Sequence, residues 1–313
     1  MKKYQLLLMI MIMVSMPVHS RDTIRVVGSS TVYPFATVVA ETFGRQDNGF
    51  KTPIIESTGS GGGLKLFCSG RGPSTPDVTN ASRRIKKSEV ELCAKNGVNE
   101  IIEHKIGYDG IVIANAKNGH NYTISRKDLY MALAAKVPCG VQDGVTCDNE
   151  AKTWKDVNPS LPDIRIEVYG PPPTSGTRDA FAELGLGGGC KMIPWIKKFK
   201  KEDKSAWKKL CYTVREDGAY IETGENDNLI IQKLINNPDA LGVFGFSFLD
   251  QNTDSVKGAI VDGIEPTFES IASGDYKVSR SLFFYVKKAH IGSIPGIEEY
   301  MAEFMNDNAI GDE

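Results

Sequence analysis

The sequence predicts an α/β protein. Short β-rich runs alternate with amphipathic stretches, the first three runs each end in a small polar turn that opens a helix, and no internal repeat or low-complexity segment competes with that pattern. Thr23–Val27 is the first run, closed by Gly28-Ser29-Ser30-Thr31 and followed by an amphipathic stretch from Tyr33 to Phe43. Thr52–Glu56 repeats the unit, with Ser57-Thr58-Gly59-Ser60-Gly61-Gly62-Gly63 leading into Leu64–Phe67. Asp77–Thr79 repeats it again, and Asn80-Ala81-Ser82-Arg83 leads into a helix around Ser88–Lys95. In such sheets ligands sit beyond the carboxyl ends of the strands, where helices start. The three turns are therefore expected to converge on one edge.

A second set of units follows. After Ile101–His104 come Gly107-Tyr108-Asp109-Gly110 and the apolar strand Ile111–Ala114. A helix opens at Ser125, a loop holds Cys139 and Cys147, and Ile164–Tyr169 reads as a strand stopped by Gly170-Pro171-Pro172-Pro173. Those prolines remove donors and stiffen the approach to Ser175-Gly176-Thr177, a capping turn with free N–H groups. Leu241–Phe248 and Leu282–Val286 complete the alternation.

The turns share a chemistry. Gly28–Thr31, Ser57–Gly63, Asn80–Arg83 and Thr174–Arg178 offer hydroxyls and backbone N–H groups with few charges, the donors that hold an oxyanion at helix N-termini. Each has a plainer reading. Gly59–Gly63 is also a space-saving turn, and Ser175-Gly176-Thr177 an ordinary cap. Arg178 in a first helical turn works against the dipole unless an anion or a carboxylate is near, and Asp179 is a candidate partner. Arg83 and Arg84 also read as surface charge.

The termini and composition set the compartment. Lys2 and Lys3 precede an apolar run from Leu6 to Val14, then Pro17 and the small-residue end Val18-His19-Ser20, which is the pattern of a cleaved secretory signal over residues 1–20. The run is too short for a permanent membrane helix, and no cysteine sits at the cut to carry a lipid. A soluble, exported, monomeric chain beginning at Arg21 is expected. All six cysteines lie in that mature part, and an even count in an oxidising compartment indicates disulfides. Many pairings are open. Sequential pairing, Cys68–Cys93, Cys139–Cys147 and Cys190–Cys211, is the simplest because each pair then lies in one local segment.

Several function classes are disfavoured. The formal net charge is −2 with Lys2 and Lys3 included, so the mature chain is more negative still and nucleic acid is not an expected partner. The one basic run, Lys197 to Lys209 with seven lysines, is interrupted by Glu202 and Asp203 and reads as a solvated helical face. Gly59–Gly63 lacks the Gly-Lys-Ser/Thr end of a nucleotide loop. Ser175 has no GxSxG elbow, His104, His120 and His290 show no metal-binding spacing, and no CxxC occurs. No enzyme activity, metal or cofactor is expected.

Six motifs in this order, Gly28-Ser29-Ser30-Thr31-Val32-Tyr33-Pro34, Thr58–Gly63, Asn80–Arg83, Gly107–Gly110, Thr153–Val157 and Ser175–Asp179, resemble the phosphate-binding receptors of bacterial ABC phosphate importers. The resemblance covers nearly all of the mature chain. It implies a two-lobed periplasmic binding-protein fold of type II, with lobe 1 from residues 21–106 and 251–313, lobe 2 from 107–250, and two crossing strands near Gly107 and Asp250. It also implies periplasmic capture of inorganic phosphate and transient docking on a membrane permease. Another tetrahedral oxyanion such as sulfate, or a secreted phosphatase, is the alternative. Carried over residue by residue, Ser30, Thr31, Ser60, Ser82 and Arg83 bind from the first lobe and Ser175, Gly176, Thr177 and Arg178 from the second. One branch of the family has an aspartate where Ser82 stands and an arginine where Pro171 stands. The acceptor role then moves to Asp109, with Asp77 and Asp179 as rivals, and the cation role to Arg83 or Arg178.

Overall fold

The computed structural model describes residues 21–306 except 48, 141 and 225, so the expected signal segment lies outside the described residues. Its strands in the main sheet are β1 (Arg25–Gly28), β2 (Ile54–Ser57), β3 (Val78–Ala81), β4 (Ile101–Ala116), β5 (Val168–Gly170), β6 (Tyr220–Glu222), β7 (Leu241–Gly245), β8 (Val256–Gly258) and β9 (Ser279–Lys287). They form one nine-stranded sheet in the order β2-β1-β3-β9-β4-β7-β5-β6, with β8 also on β4.

The three opening units form as expected. β2, β1 and β3 are parallel, with Gly28 opposite both Ser57 and Asn80, so all three carboxyl ends reach one edge. The helix Tyr33–Arg45 presents Ala36, Val39, Ala40 and Phe43 to the core at helical spacing. The glycine-rich turn differs from expectation. Its glycines belong to the helix Gly59–Phe67 itself, and close packing is the reason: a Cβ on Gly63 would lie 2.5 Å from Gly28 Cα and 2.7 Å from Thr79 Oγ1. The helix start is thus pressed directly against the strand ends.

Gly107–Gly110 is not a turn between strands. It lies inside β4, which runs sixteen residues without a break, because β9 pairs with it from Ile101 to Gly110 and β7 and β8 pair with the remainder. Ile102 and Ile106 pack with a cluster that includes Val26, Phe43, Phe284 and Tyr300. Farther along the same strand, Ile111 and Ile113 join Tyr130, Trp154, Phe181 and Trp207. The strand therefore leaves one core and enters another.

The sequence reading puts the return near Asp250, and the packing corrects it. Val256 packs with Phe244 and Leu249, while Ala259, Val261, Ile271, Tyr276 and Val278 belong to the second core. Leu282, in β9, is the next residue to join the first. The reason is local. β7 ends at Gly245, Phe246–Gln251 turns helical, and β8 folds back antiparallel on β4 before β9 crosses.

Smaller differences have similar causes. Lys197–Lys209 is two helices, Pro194–Glu202 and Lys204–Tyr212, because Asp203 leaves helical geometry and caps Ser205 and Ala206 N–H. Ile164–Tyr169 contributes only Val168 and Tyr169 to a strand. The three disulfides are Cys68–Cys93, Cys139–Cys147 and Cys190–Cys211, the sequential set. Among the described residues no helix is long and apolar enough to cross a membrane.

Candidate functional site

The site is built where the strand ends of the first unit meet the turn after β5. A Cβ on Gly176 would lie 3.2 Å from Thr31 Cα and 3.5 Å from Ser30 O and Thr31 N, so the two turns approach closely through their backbones and a larger residue there would crowd Thr31. Ser60 reaches Ser82 from the neighbouring turn: its Oγ accepts from Ser82 N at 3.0 Å and lies 3.1 Å from Ser82 Oγ. Ser30, Thr31, Ser60, Ser82, Ser175, Gly176 and Thr177 are all half-buried.

The hydroxyls are arranged as donors. A hydroxyl has one hydrogen to give and lone pairs to receive. Ser29 Oγ accepts from Thr31 N at 3.2 Å, Thr31 Oγ1 from Arg280 Nη2 at 2.6 Å, Ser60 Oγ from Ser82 N, and Ser175 Oγ from Thr177 N at 3.2 Å. Each accepts from an N–H that occupies a lone pair; the Ser60–Ser82 pair spends one hydroxyl hydrogen between its two members, and the other hydroxyl hydrogens are left to point elsewhere. Such a surface suits an acceptor-rich ligand. Around the same strand ends Thr58 Oγ1, Thr79 Oγ1 and Asn80 Oδ1 are buried without a hydrogen-bond partner among the described residues, a condition that ordinary cores avoid.

The charged candidates separate. Arg83 is held bidentately by Glu89 at 2.7 and 2.9 Å, and that bond raises its pKa above the ordinary value. Its Nη2 still lies 3.8 Å from the position of a Cβ on Gly61, beside the start of the glycine-rich helix. Arg178 is buried, donates to Pro171 O at 3.2 Å, and stacks 4.1 Å over the Tyr220 ring with Glu222 at 3.9 Å. The carboxylate that excuses its place in a first helical turn is therefore Glu222, not Asp179.

The rival acceptors also part. Asp77 is fully buried at the amino end of β3, the far end from Ser82, bound by Arg21, His290 and Arg25 N–H. It is not in the cleft. Asp109 lies in β4 directly opposite Arg280 of β9, whose Nε donates to Asp109 Oδ2 at 3.1 Å. Burial pushes the Asp109 carboxyl up and Arg280 pulls it back, leaving it raised. Among the described residues Asp109 Oδ1 takes no hydrogen bond. Burial likewise raises Asp179, against the pull of Arg280 and Arg178.

Arg280 is the residue the sequence reading missed. It sits between serines at the head of an apolar strand, a signal too common to single out, and its pairing with Asp109 spans 171 residues of chain. Among the described residues no cluster of three or more His, Cys, Asp and Glu could hold a metal. His290 has a carboxylate partner, but its partner is Asp77, away from the hydroxyls.

Comparisons with known proteins show the family. The chain is 30% identical over 277 residues to Protein SphX of Synechococcus elongatus, covering 85% of this chain and 70% of that one. It is 30% identical over 286 residues to the phosphate-binding protein PstS of Staphylococcus saprophyticus, covering 90% and 75%. A solved structure described as a possible phosphate binding protein from Planctomyces limnophilus superposes with a TM-score of 0.72 at 27% identity, over 91% of this chain and 88% of that one. The PstS structure from Borrelia burgdorferi shares the fold, at a TM-score of 0.58 and 18% identity. The model of the PBP superfamily domain matches residues 17–308, and the chain belongs to that superfamily.

Proposed function

We propose that this chain is an exported receptor for inorganic phosphate that delivers its ligand to the permease of an ABC transporter, binding without turning the ligand over. One observation carries the reading: Thr31, Ser60 and Ser175 each accept from an N–H, which leaves neutral hydroxyl donors on turns from two packing units that meet at the strand ends. Relatives named as phosphate-binding proteins support the choice of ligand. Ser30, Thr31, Ser60 and Ser82 are the donors from the first lobe, and Ser175, Gly176 and Thr177 those from the second. Arg83 and Arg178, held by their own carboxylates, add positive potential from the flanks.

The division into lobes follows the cores. The first comprises residues 21–106 and the chain from β9 onward; the second comprises 107–278, with β4 and β9 as the two crossings. Closing the lobes on an anion replaces its hydration with fixed donors, each hydrogen bond to a charged group contributing about 1.5–3 kcal/mol. Several of these reach the roughly −8 kcal/mol of a micromolar complex. Export through the signal at 1–20 places a soluble monomer in the periplasm.

Titration calorimetry of the mature chain with phosphate and with sulfate, beside an assay for phosphate-ester hydrolysis, tests the reading. One-to-one phosphate binding without hydrolysis is expected. Tighter binding of sulfate makes it a receptor for a different oxyanion, and hydrolysis lost on substituting a cleft residue makes it an enzyme.

A further inference from the structure

A site for a dianion built from hydroxyls still needs positive charge close by, and three arginines border this one. Arg83 spends both hydrogens of Nη1 and one of Nη2 on Glu89 and Arg84 O. Arg178 faces Pro171 O, Glu222 and the Tyr220 ring. Neither donates a hydrogen bond to any hydroxyl of the converging turns. Arg280 does, through Nη2 to Thr31 Oγ1 at 2.6 Å.

The placement of Arg280 is set by the fold. It lies on β9, one of the two strands that pass between the cores, and its partner in the ladder is Asp109 on the other. Its side chain is only 11% exposed and that of Asp109 14%. A buried guanidinium requires a counter-charge, and Asp109 supplies one through Nε alone. From the second unit Glu183 approaches Nη1 at 3.4 Å. A guanidinium has five N–H groups in a rigid fork, so these three bonds leave one hydrogen on each terminal nitrogen uncommitted among the described residues. Glu183 is carried by Phe181–Leu186, where the helix after the Ser175 turn widens to a π-helix, a form that recurs at functional sites.

We propose that Arg280 is the cation of the oxyanion site, and that Asp109 is the residue that positions it. The inference rests on the phosphate reading above and assigns within it the charge that the sequence had placed on Arg83 or Arg178. Fixing Nε on Asp109 turns the terminal nitrogens toward Thr31, so the cation is aimed before the ligand arrives. Its bond to Thr31 also directs that hydroxyl's hydrogen away from the guanidinium.

Calorimetry with inorganic phosphate decides the matter on the full mature chain as parent, Arg280→Met, Arg280→Lys, Arg83→Met, Arg178→Met, Asp109→Asn and the double variant Asp109→Asn/Arg280→Met, each checked for folding by thermal melt. Arg280→Met is expected to bind at least about 30-fold more weakly, the loss typical of removing one partner from a buried charge contact. Arg280→Lys is expected to recover part of that loss, and Arg83→Met and Arg178→Met to lose less. In the double variant the two losses should be less than additive, since a carboxylate with no cation to aim has less to contribute. A merely structural Asp109 would give additive losses. Should Arg280→Met fail to fold, the lysine variant decides: binding at parental strength with the fork gone overturns the assignment. Arg280→Met that binds like a binding-competent parent overturns this inference alone. A parent that binds no phosphate overturns the reading beneath it, and this one with it.

Discussion

Strand β3 has a charged aspartate system near each end, and the two are opposites. At its amino end Asp77 is fully buried and bound on both oxygens, by Arg21, by Arg25 N–H at 2.7 Å and by His290 Nδ1 at 2.5 Å, while His290 Nε2 lies 2.9 Å from Arg71 O. Beside it Lys287, also buried, donates to Gly70 O and Thr75 Oγ1, both at 2.7 Å. At its carboxyl end stand uncharged hydroxyls and, next to them, Asp109 and Arg280 with unspent hydrogen-bonding capacity on both. Both oxygens of Asp77 are engaged by protein, and among the described residues one oxygen of Asp109 is not. Saturation, rather than burial or charge, separates an aspartate that holds the fold from one with an oxygen to offer.

Breaking the saturated end should therefore cost stability and spare binding. Asp77→Ala removes the buried carboxylate that Arg21 Nη2, Arg25 N–H and His290 Nδ1 share, and removing one partner of a buried ion pair costs about 3–5 kcal/mol. A urea-denaturation midpoint should fall accordingly, while the folded variant binds phosphate close to the parental strength at 25 °C. A loss of affinity as large as that of Arg280→Met would erase the distinction between the two ends.

A smaller effect concerns Lys287 and its pH dependence. Burial is the main cause that lowers its pKa, from the ordinary 10.5 to about 8, against the pull of Asp77. Between those values the unfolded chain holds this proton and the folded chain has released it. Stability therefore rises with pH across that window, because the unfolded state binds more protons there. Thermal melts from pH 7.5 to 10.5 should show the parent gaining on Lys287→Met as pH rises. A constant difference between the two would mean that Lys287 keeps its charge and that the foot of β3 is wetter than its packing.

The sequence made one end of β3 easier to read than the other. The turns that carry Ser30, Ser60, Ser82 and Ser175 were legible as elements because each is local: a strand, a few small residues and a helix start lie together in the chain, and the parallel pairing of β1, β2 and β3 brings the first three to one edge. The sequential disulfides were legible for the same reason. Long-range partnerships were not. Nothing near Arg280 names Asp109, because their meeting depends on the register of β9 against β4, and that pairing contains a shift between Leu282 and Phe283. Asp77 looked like a rival acceptor for want of His290, 213 positions away. The return to the first core was misplaced at Asp250 because the apolar run Leu241–Phe248 reads as one strand, whereas it bends into a helix at Phe246. The hydrophobic pattern gives the elements and their type, and tertiary packing decides which of them cross.

The unsaturated end yields the finest test, in the choice between two similar anions. Phosphate near neutral pH still carries a proton and can donate one hydrogen bond, whereas sulfate only accepts. Asp109 Oδ1 takes no hydrogen bond from a described residue, so it is open to receive that proton, while Oδ2 is held by Arg280. Toward sulfate the same oxygen is an unpaired acceptor facing like charge, the kind of mismatch by which a polar site rejects an isostere. Asp109→Asn removes both disadvantages: the amide can donate to sulfate, and Arg280 loses the charge that offset its own. Phosphate affinity should fall and the phosphate-to-sulfate preference should narrow by about tenfold, one hydrogen bond to a charged group. Competition calorimetry on the two proteins measures it. An asparagine variant that loses affinity but keeps the preference of the parent would show that Asp109 serves Arg280 alone, and would move the search for the proton's acceptor to Asp179, which also lies within reach of Arg280's field.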